Sequence, residues 1–230
     1  MIGWRQRGFL LNPFRFGAVA SVAFVAASST TYAVSTSQNQ TIPAAVEEGD
    51  RLLAVVMHRS ALTVVPSGWV LVESQSCMND ITQYTSIYKR LAESGDAAAC
   101  TTWEQAASAR ICVHILAFRR SGGSCDVVDA NKGAQNLVSY SAAWNWASLT
   151  SGADGAIGVA ASSSILALGP PFPTTISNSS GVLTTIGSDV ENRLGVAYEA
   201  RNKGQTLSGY FTSSISAGTN GIASVSVLIA

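Results

Sequence analysis

Two histidines and four cysteines are the residues of this chain best suited to chemistry, and their spacing limits what they can do. His58 and His114 each fall inside an apolar run or at its end, where an imidazole is expected to be a hydrogen-bonded structural group rather than a proton shuttle. Cys77, Cys100, Cys112 and Cys125 lack the paired spacing that holds zinc, so no metal site is expected. Asp126 and Asp129 can share a calcium ion with neighbouring carbonyls, yet two acids three apart are more often a solvated turn. Glu47, Glu48 and Asp50 read the same way. The sequence contains no Gly-x-Ser-x-Gly elbow, phosphate loop or His-x-x-x-His pair. The chain is accordingly expected not to be an enzyme and to need no cofactor.

Two groups of residues look suited to recognition instead. In Ser141-Ala142-Ala143-Trp144-Asn145-Trp146 a strand would point both indoles to one face, and with Tyr140 and Asn145 beside them they can form a glycan-stacking platform. The competing reading is a plug in the core or in a subunit interface. The second group is N-terminal: Arg5, Arg7, Phe9, Leu10, Phe14, Arg15 and Phe16 make residues 1–16 basic and aromatic. Arg5, Arg7 and Arg15 before the apolar Ala18 to Ala27, with Thr31-Tyr32-Ala33 beyond, imitate a signal peptide. The charged region is long, however, and broken by Phe9-Leu10-Leu11 and Asn12-Pro13, while Ser21 to Val25 fits a strand. Residues 1–16 are therefore expected to be an extended arm that orders by docking on another subunit, with a flexible tail as the alternative.

The elements that must position these groups read as strands. Pro43 and the polar turn Glu47-Glu48-Gly49-Asp50 lead into Leu52 to Met57, a Val-rich apolar run too short for a helix and suited to a strand buried on both faces. Pro66-Ser67-Gly68 turns the chain, and Trp69 after it is expected to plug one end of a core. Thr82 to Arg90 sets Tyr84, Ser86 and Tyr88 against Thr85, Ile87 and Lys89. Arg110 to Phe118 sets Ile111, Val113 and Ile115 against Cys112, His114, Leu116 and Phe118, apolar enough on both sides for a central strand. Asn192 to Arg201 and Ile222 to Ile229 alternate likewise. Shorter candidates are Val34 to Ile42, Thr101 to Gln105, Gly155 to Ala161, Val182 to Ile186 and Gln205 to Tyr210. Leu91 to Ala99 has room for one helical turn at most, and Gly169 to Pro173 must be a loop.

This pattern predicts an all-β chain: a two-sheet antiparallel β-sandwich, a jelly roll or a related form, occupying residues 17–230 as one domain after the extended N-terminal arm. If Thr101 to Gln105 and Arg110 to Phe118 form a hairpin, Cys100 approaches Cys125, so a bridge between them stands beside the leading reading of four free thiols. Charged residues are 12% of the chain and the net charge is zero, which argues against nucleic acid as the partner, since binding it rests on cations neutralising phosphates. No stretch reaches the length of a transmembrane helix. A surface built from Ser, Thr, Asn, Gln and Gly repels neighbours weakly and suits packing into an assembly.

The series IPAAVEEGDRLLAVVMHRS, PSGWVLVESQS, TQYTSIYKRL, SARICVHILAFRR, NRLGVAYEAR and GIASVSVLIA, in that order, resembles the β-sandwich virion structural proteins of tailed bacteriophages over residues 18–230. Leu10 to Phe16 is similar to the short N-terminal leader of such proteins, and the four cysteines depart from their usual pattern. The resemblance implies a tail-fibre, receptor-binding or decoration component assembled in a host cytoplasm. It would dock on other virion proteins through its arm, form a homo-oligomer and take part in host attachment. A carbohydrate-binding adhesin meeting a host surface glycan is the alternative. The resemblance supplies no catalytic residues.

Overall fold

The structure, a computed structural model, describes residues 20–29, 31–78, 82–137, 143–165, 175–177, 184–186, 194–212 and 220–230. All its regular elements are strands. In the first half these are β1 (Val22–Ala27), β2 (Thr31–Thr41), β3 (Arg51–His58), β4 (Leu62–Val64), β5 (Val70–Met78), β6 (Thr82–Leu91) and β7 (Cys100–Arg120). The second half supplies β8 (Val127–Leu137), β9 (Ala143–Asn145), β10 (Leu149–Thr150), β11 (Ala156–Ile165) and β12 (Thr175–Ser177). It ends with β13 (Thr184–Ile186), β14 (Leu194–Arg201), β15 (Thr206–Leu207), β16 (Tyr210–Thr212) and β17 (Asn220–Ile229).

The strands divide by sequence. The first seven build one sheet in the order β1-β7-β3-β6-β5, with β2 and β4 also on β7, while β13-β14-β11-β17-β8 form the second sheet. Every pairing is antiparallel. Of the sandwich forms expected, this is one made from two consecutive halves of the chain, whereas strands of a jelly roll alternate between sheets. Its main core takes Leu53, Val55, Met57, Ile87, Leu116 and Phe118 from the first sheet, and Val159, Ala161, Val196, Val225 and Val227 from the second. Alternation decides this: the odd residues of β3 face the second sheet and Leu52, Ala54 and Val56 face away.

That far face is buried too. Leu52, Ala54 and Val56 pack with Trp69, Tyr88, Trp103 and Ile115 in a second cluster. Trp103 meets Trp69 at a centroid distance of 5.6 Å and Tyr88 at 5.2 Å. It reaches them because β7 is one long strand with an irregularity, where Ser35 of β2 opposes Ala109 but Ser37 opposes Glu104. Gln105 fastens the interruption by donating to Ser35 O and Ala109 O while accepting the Ser60 N–H. The expected hairpin from Thr101 to Phe118 is thus a single strand. The small residues Ala106, Ala107 and Ser108, which resemble a turn in sequence, are an insertion within the ladder.

Two turns of the same type close this end of the sheet. Glu47-Glu48-Gly49-Asp50 and Glu93-Ser94-Gly95-Asp96 each place a glycine at φ 90°, and each aspartate accepts the N–H of the glutamate three residues before it. Each also binds an arginine, Arg119 to Asp50 and Arg90 to Asp96. Asp50 is buried, which corrects the reading of a solvated turn. Of Leu91 to Ala99, Leu91 ends β6 and the residues after it are turn and not helix, with Ala98 at φ 60°.

Candidate functional site

Of the residues expected to dock, Arg5, Arg7, Phe9, Leu10, Phe14, Arg15 and Phe16 lie outside the described residues, as does Tyr140. The backbone of Trp144 is in β9, opposite Phe211 of β16, and Asn145 opposite Tyr210 is exposed. β9 ends at Asn145, so Trp146 does not continue the alternation; its backbone N–H bonds Gly209 O and its side chain is 5% exposed. This burial removes one indole from any open stacking face and gives Trp146 the role of a plug. Ala147, Leu149 and Leu207 are buried in the same region, and a Cβ added at Gly158 would meet Leu207 Cδ2 at 2.9 Å. Leu207 lies over Gly158, which shares the outer face of the second sheet with the small residues Ala160, Ser162 and Ser226.

The polar cluster that the sequence did not reveal is built on β3, β5 and β6. Ser74 of β5 stands directly opposite Ser86 of β6, and His58 of β3 lies two residues off Ser86 in register. The His58 ring stacks on Tyr84 at 4.9 Å. Its Nδ1 lies 2.8 Å from Ser60 O, which can only accept, so Nδ1 carries the proton and Nε2 accepts from Ser86 Oγ at 3.0 Å. Ser74 Oγ then donates to Ser86 Oγ at 2.7 Å. Burial lowers the His58 pKa, against a smaller upward pull from the Ser60 carbonyl, and keeps the ring neutral. The chain of hydroxyls therefore has a fixed direction. Ser86 is buried, so its oxygen is spent on His58 and Ser74 and holds three strands in register. No sequence motif links positions 58, 74 and 86; only strand pairing does.

His114 is fully inside, on the face of β7 that carries Cys112 and Leu116, and burial pushes its pKa down to about 4. All four cysteines are free thiols. Cys100 begins β7 and Cys125 follows its end, so the length of the strand separates them and no bridge forms. Burial pushes the Cys77 thiol up to about 11 and raises that of Cys125, which leaves Cys100 as the exposed one. Asp126 is bound by Lys89 at 2.8 Å and Arg51 at 3.4 Å, so its charge is engaged by cations of the first sheet. Partial burial raises its pKa, but the Lys89 bond, the Val127 N–H and the two cations together bring it below the ordinary value. Glu199 and Arg201 form a buried ion pair along β14. Among the described residues no group of three His, Cys, Asp or Glu is placed to hold a metal ion, and no helix is long and apolar enough to cross a membrane.

What this arrangement does chemically is fasten strands. His58, Ser74, Ser86 and Gln105 hold strands of the first sheet together, and Asp50 and Asp96 tie turns to it. In comparison with known proteins, no protein-family model, no curated protein and no solved structure matches the chain.

Proposed function

We propose that the chain is a structural protein of a tailed-bacteriophage virion, a tail-fibre or tail-associated component that docks through residues 1–16 and presents a β-sandwich. The observation that supports this reading best is the use of both faces of the first sheet for packing. The main core covers one face and the Trp69, Tyr88 and Trp103 cluster the other, and His58 is held between Ser60 and Ser86. The charge-poor surface suits close packing against neighbouring subunits. A capsid decoration role uses the same properties. The glycan-binding adhesin is the weaker reading, because the Trp146 side chain is buried.

Deletion of residues 1–16 tests the proposal. A particle component that docks by its arm loses incorporation into assembled virions while the isolated sandwich keeps its unfolding transition. Normal incorporation of the shortened chain would overturn the docking role.

A further inference from the structure

We infer that residues 1–16 of one copy dock on the apolar end of the first sheet of a second copy, at Val70, Leu71, Leu91 and Val128, and that two copies exchange their arms in this way about a two-fold axis. The inference deepens the docking role proposed above, and rests on it, by naming the surface that receives the arm.

Among the described residues six large apolar side chains are exposed, and Val70, Leu71, Leu91 and Val128 are four of them. Strand pairing and ion pairs bring these four to one end of the molecule. Val70 stands opposite Lys89 and Leu71 opposite Tyr88, while Leu91 stands opposite Arg51. Arg51 and Lys89 both bind Asp126, and Val128 follows two residues later. The other two, Val34 and Val64, lie along the far part of β7, opposite Arg110 and Glu104.

The ion pairs at this end turn their carboxylates outward. The Asp126 side chain is 51% exposed, against 12% for Arg51 and 28% for Lys89. Glu93, two residues past Leu91, is 79% exposed against 15% for its partner Arg90, and Glu47 is more exposed than Arg119. Solvent therefore meets apolar groups rimmed by negative charge, the form of a docking surface.

Charge and apolar content select the occupant. Residues 1–16 carry Arg5, Arg7 and Arg15 and no acid, together with Phe9, Leu10, Leu11, Phe14 and Phe16, so in the rest of the chain 11 cations face all 14 acids. The arm thus offers the opposite charge and the apolar groups that this surface takes, whereas the same surface of a second copy would set Glu93 and Asp126 against like charges. Arm and surface also share an end. β1 opens with Val22 opposite Arg120, beside the Arg119 that binds Asp50, and the strand order places β1 four spacings, about 19 Å, from β5. Sixteen extended residues span at most about 50 Å. The surface is exposed in the single chain, so a second chain fills it, and two copies approaching by this end each reach the other, which closes a dimer.

Sedimentation of the full-length chain over a range of concentrations is expected to give twice the 23.9 kDa of one chain. Glu93→Lys with Val128→Lys should weaken the dimer at least tenfold, whereas Val34→Lys with Val64→Lys, at the exposed valines away from this end, should leave it unchanged. Cross-linking gives a readout that does not depend on how the lysine variants fold. In a Cys100→Ser background, Val128→Cys is combined in turn with Phe9→Cys, Phe14→Cys and Phe16→Cys, and at least one combination is expected to form a covalent dimer under mild oxidation. A monomer at all concentrations, a dimer indifferent to the Glu93 and Val128 lysines, or no cross-link from any combination overturns the inference. So does a dimer cross-linked by Val128→Cys alone, because the surface would then meet itself. A disulfide formed within one chain overturns it as well, because the arm would then cover its own copy. None of these measurements uses a particle, so their failure is distinct from a failure of incorporation.

Discussion

Arg119 grips the buried carboxylate of Asp50 with two hydrogen bonds, Nε to Oδ1 at 2.7 Å and Nη2 to Oδ2 at 2.9 Å, across 69 residues of chain. The carboxylate also accepts the Glu47 N–H at 2.9 Å, so one side chain closes the turn and ties it to the end of β7. Asp50→Ala leaves that N–H and the Arg119 guanidinium without their shared partner, at a cost of about 2 kcal/mol. Asp50→Asn keeps an acceptor oxygen and should cost less. Urea unfolding of the two variants checks the order, and equal stabilities would refute the cap.

Thr85 and Ser163 join the two sheets. Thr85 Oγ1 donates to Ala223 O at 3.0 Å, so its single proton is used and Ser163 must donate to it at 2.6 Å. Both residues are buried, and removing one partner strands the other in an apolar core. Thr85→Val is expected to cost about 1–3 kcal/mol and Ser163→Ala about 1 kcal/mol. The double variant should cost less than the two together, since neither hydroxyl is then left alone. A double-mutant cycle by chemical denaturation measures the coupling, and strict additivity would deny the bond.

These two relationships show what the sequence can reveal. The alternation that fixes faces is legible: Thr85 with Ile87 inward and Ser86 with Tyr88 outward, and β3 apolar on both sides because two cores cover it. Asp50 is not legible as buried, because a turn of acids looks solvated until Arg119 is brought to it from a distant strand. β8 leaves no signal because Asp-Ala-Asn-Lys-Gly-Ala-Gln-Asn has no apolar period; its place is set by pairing with the apolar β17. β7 reads as two strands because Ala106, Ala107 and Ser108 carry the same local signal in an insertion as in a turn. The His58, Ser86 and Ser74 chain exists only through register, which period-two patterning does not specify between distant strands.

His114 makes stability depend on pH. Its pKa in the folded protein is about 4, against 6.5 for an unperturbed histidine, so between those values the unfolded chain binds a proton that the folded one refuses. The contribution is complete above about pH 6.5 and is lost as pH falls toward 4, to a total of about 3 kcal/mol. His58, lowered for the same reason, acts in the same direction. The denaturant midpoint measured from pH 7 to pH 5 should fall, and His114→Gln should flatten that fall. An unchanged slope in the variant would show that the proton is taken up elsewhere.

Gly155 is the point at which β1 is attached to the second half of the chain. Its φ is +67°, and a Cβ there would lie 2.9 Å from Ala20 O and 3.0 Å from Ser21 Cα, which are backbone atoms that cannot swing aside. Its own carbonyl accepts the Val22 N–H, so the close approach and the hydrogen bond require each other. Gly155→Ala therefore meets two penalties, a left-handed backbone with a side chain and a collision with the strand it holds, together about 2–3 kcal/mol. The damage should be local before it is global. β1 carries Phe24, which stacks on Tyr198 at 4.3 Å and bridges the two sheets, so release of β1 should expose Phe24 and speed amide exchange at Val22 to Ala27. Exchange in β3 should be unaffected under the same conditions, because its neighbours on both sides are β6 and β7. Hydrogen exchange read strand by strand distinguishes this from uniform destabilisation, and equal acceleration in β1 and β3 would show that Gly155 supports the whole sandwich instead of the attachment of one strand.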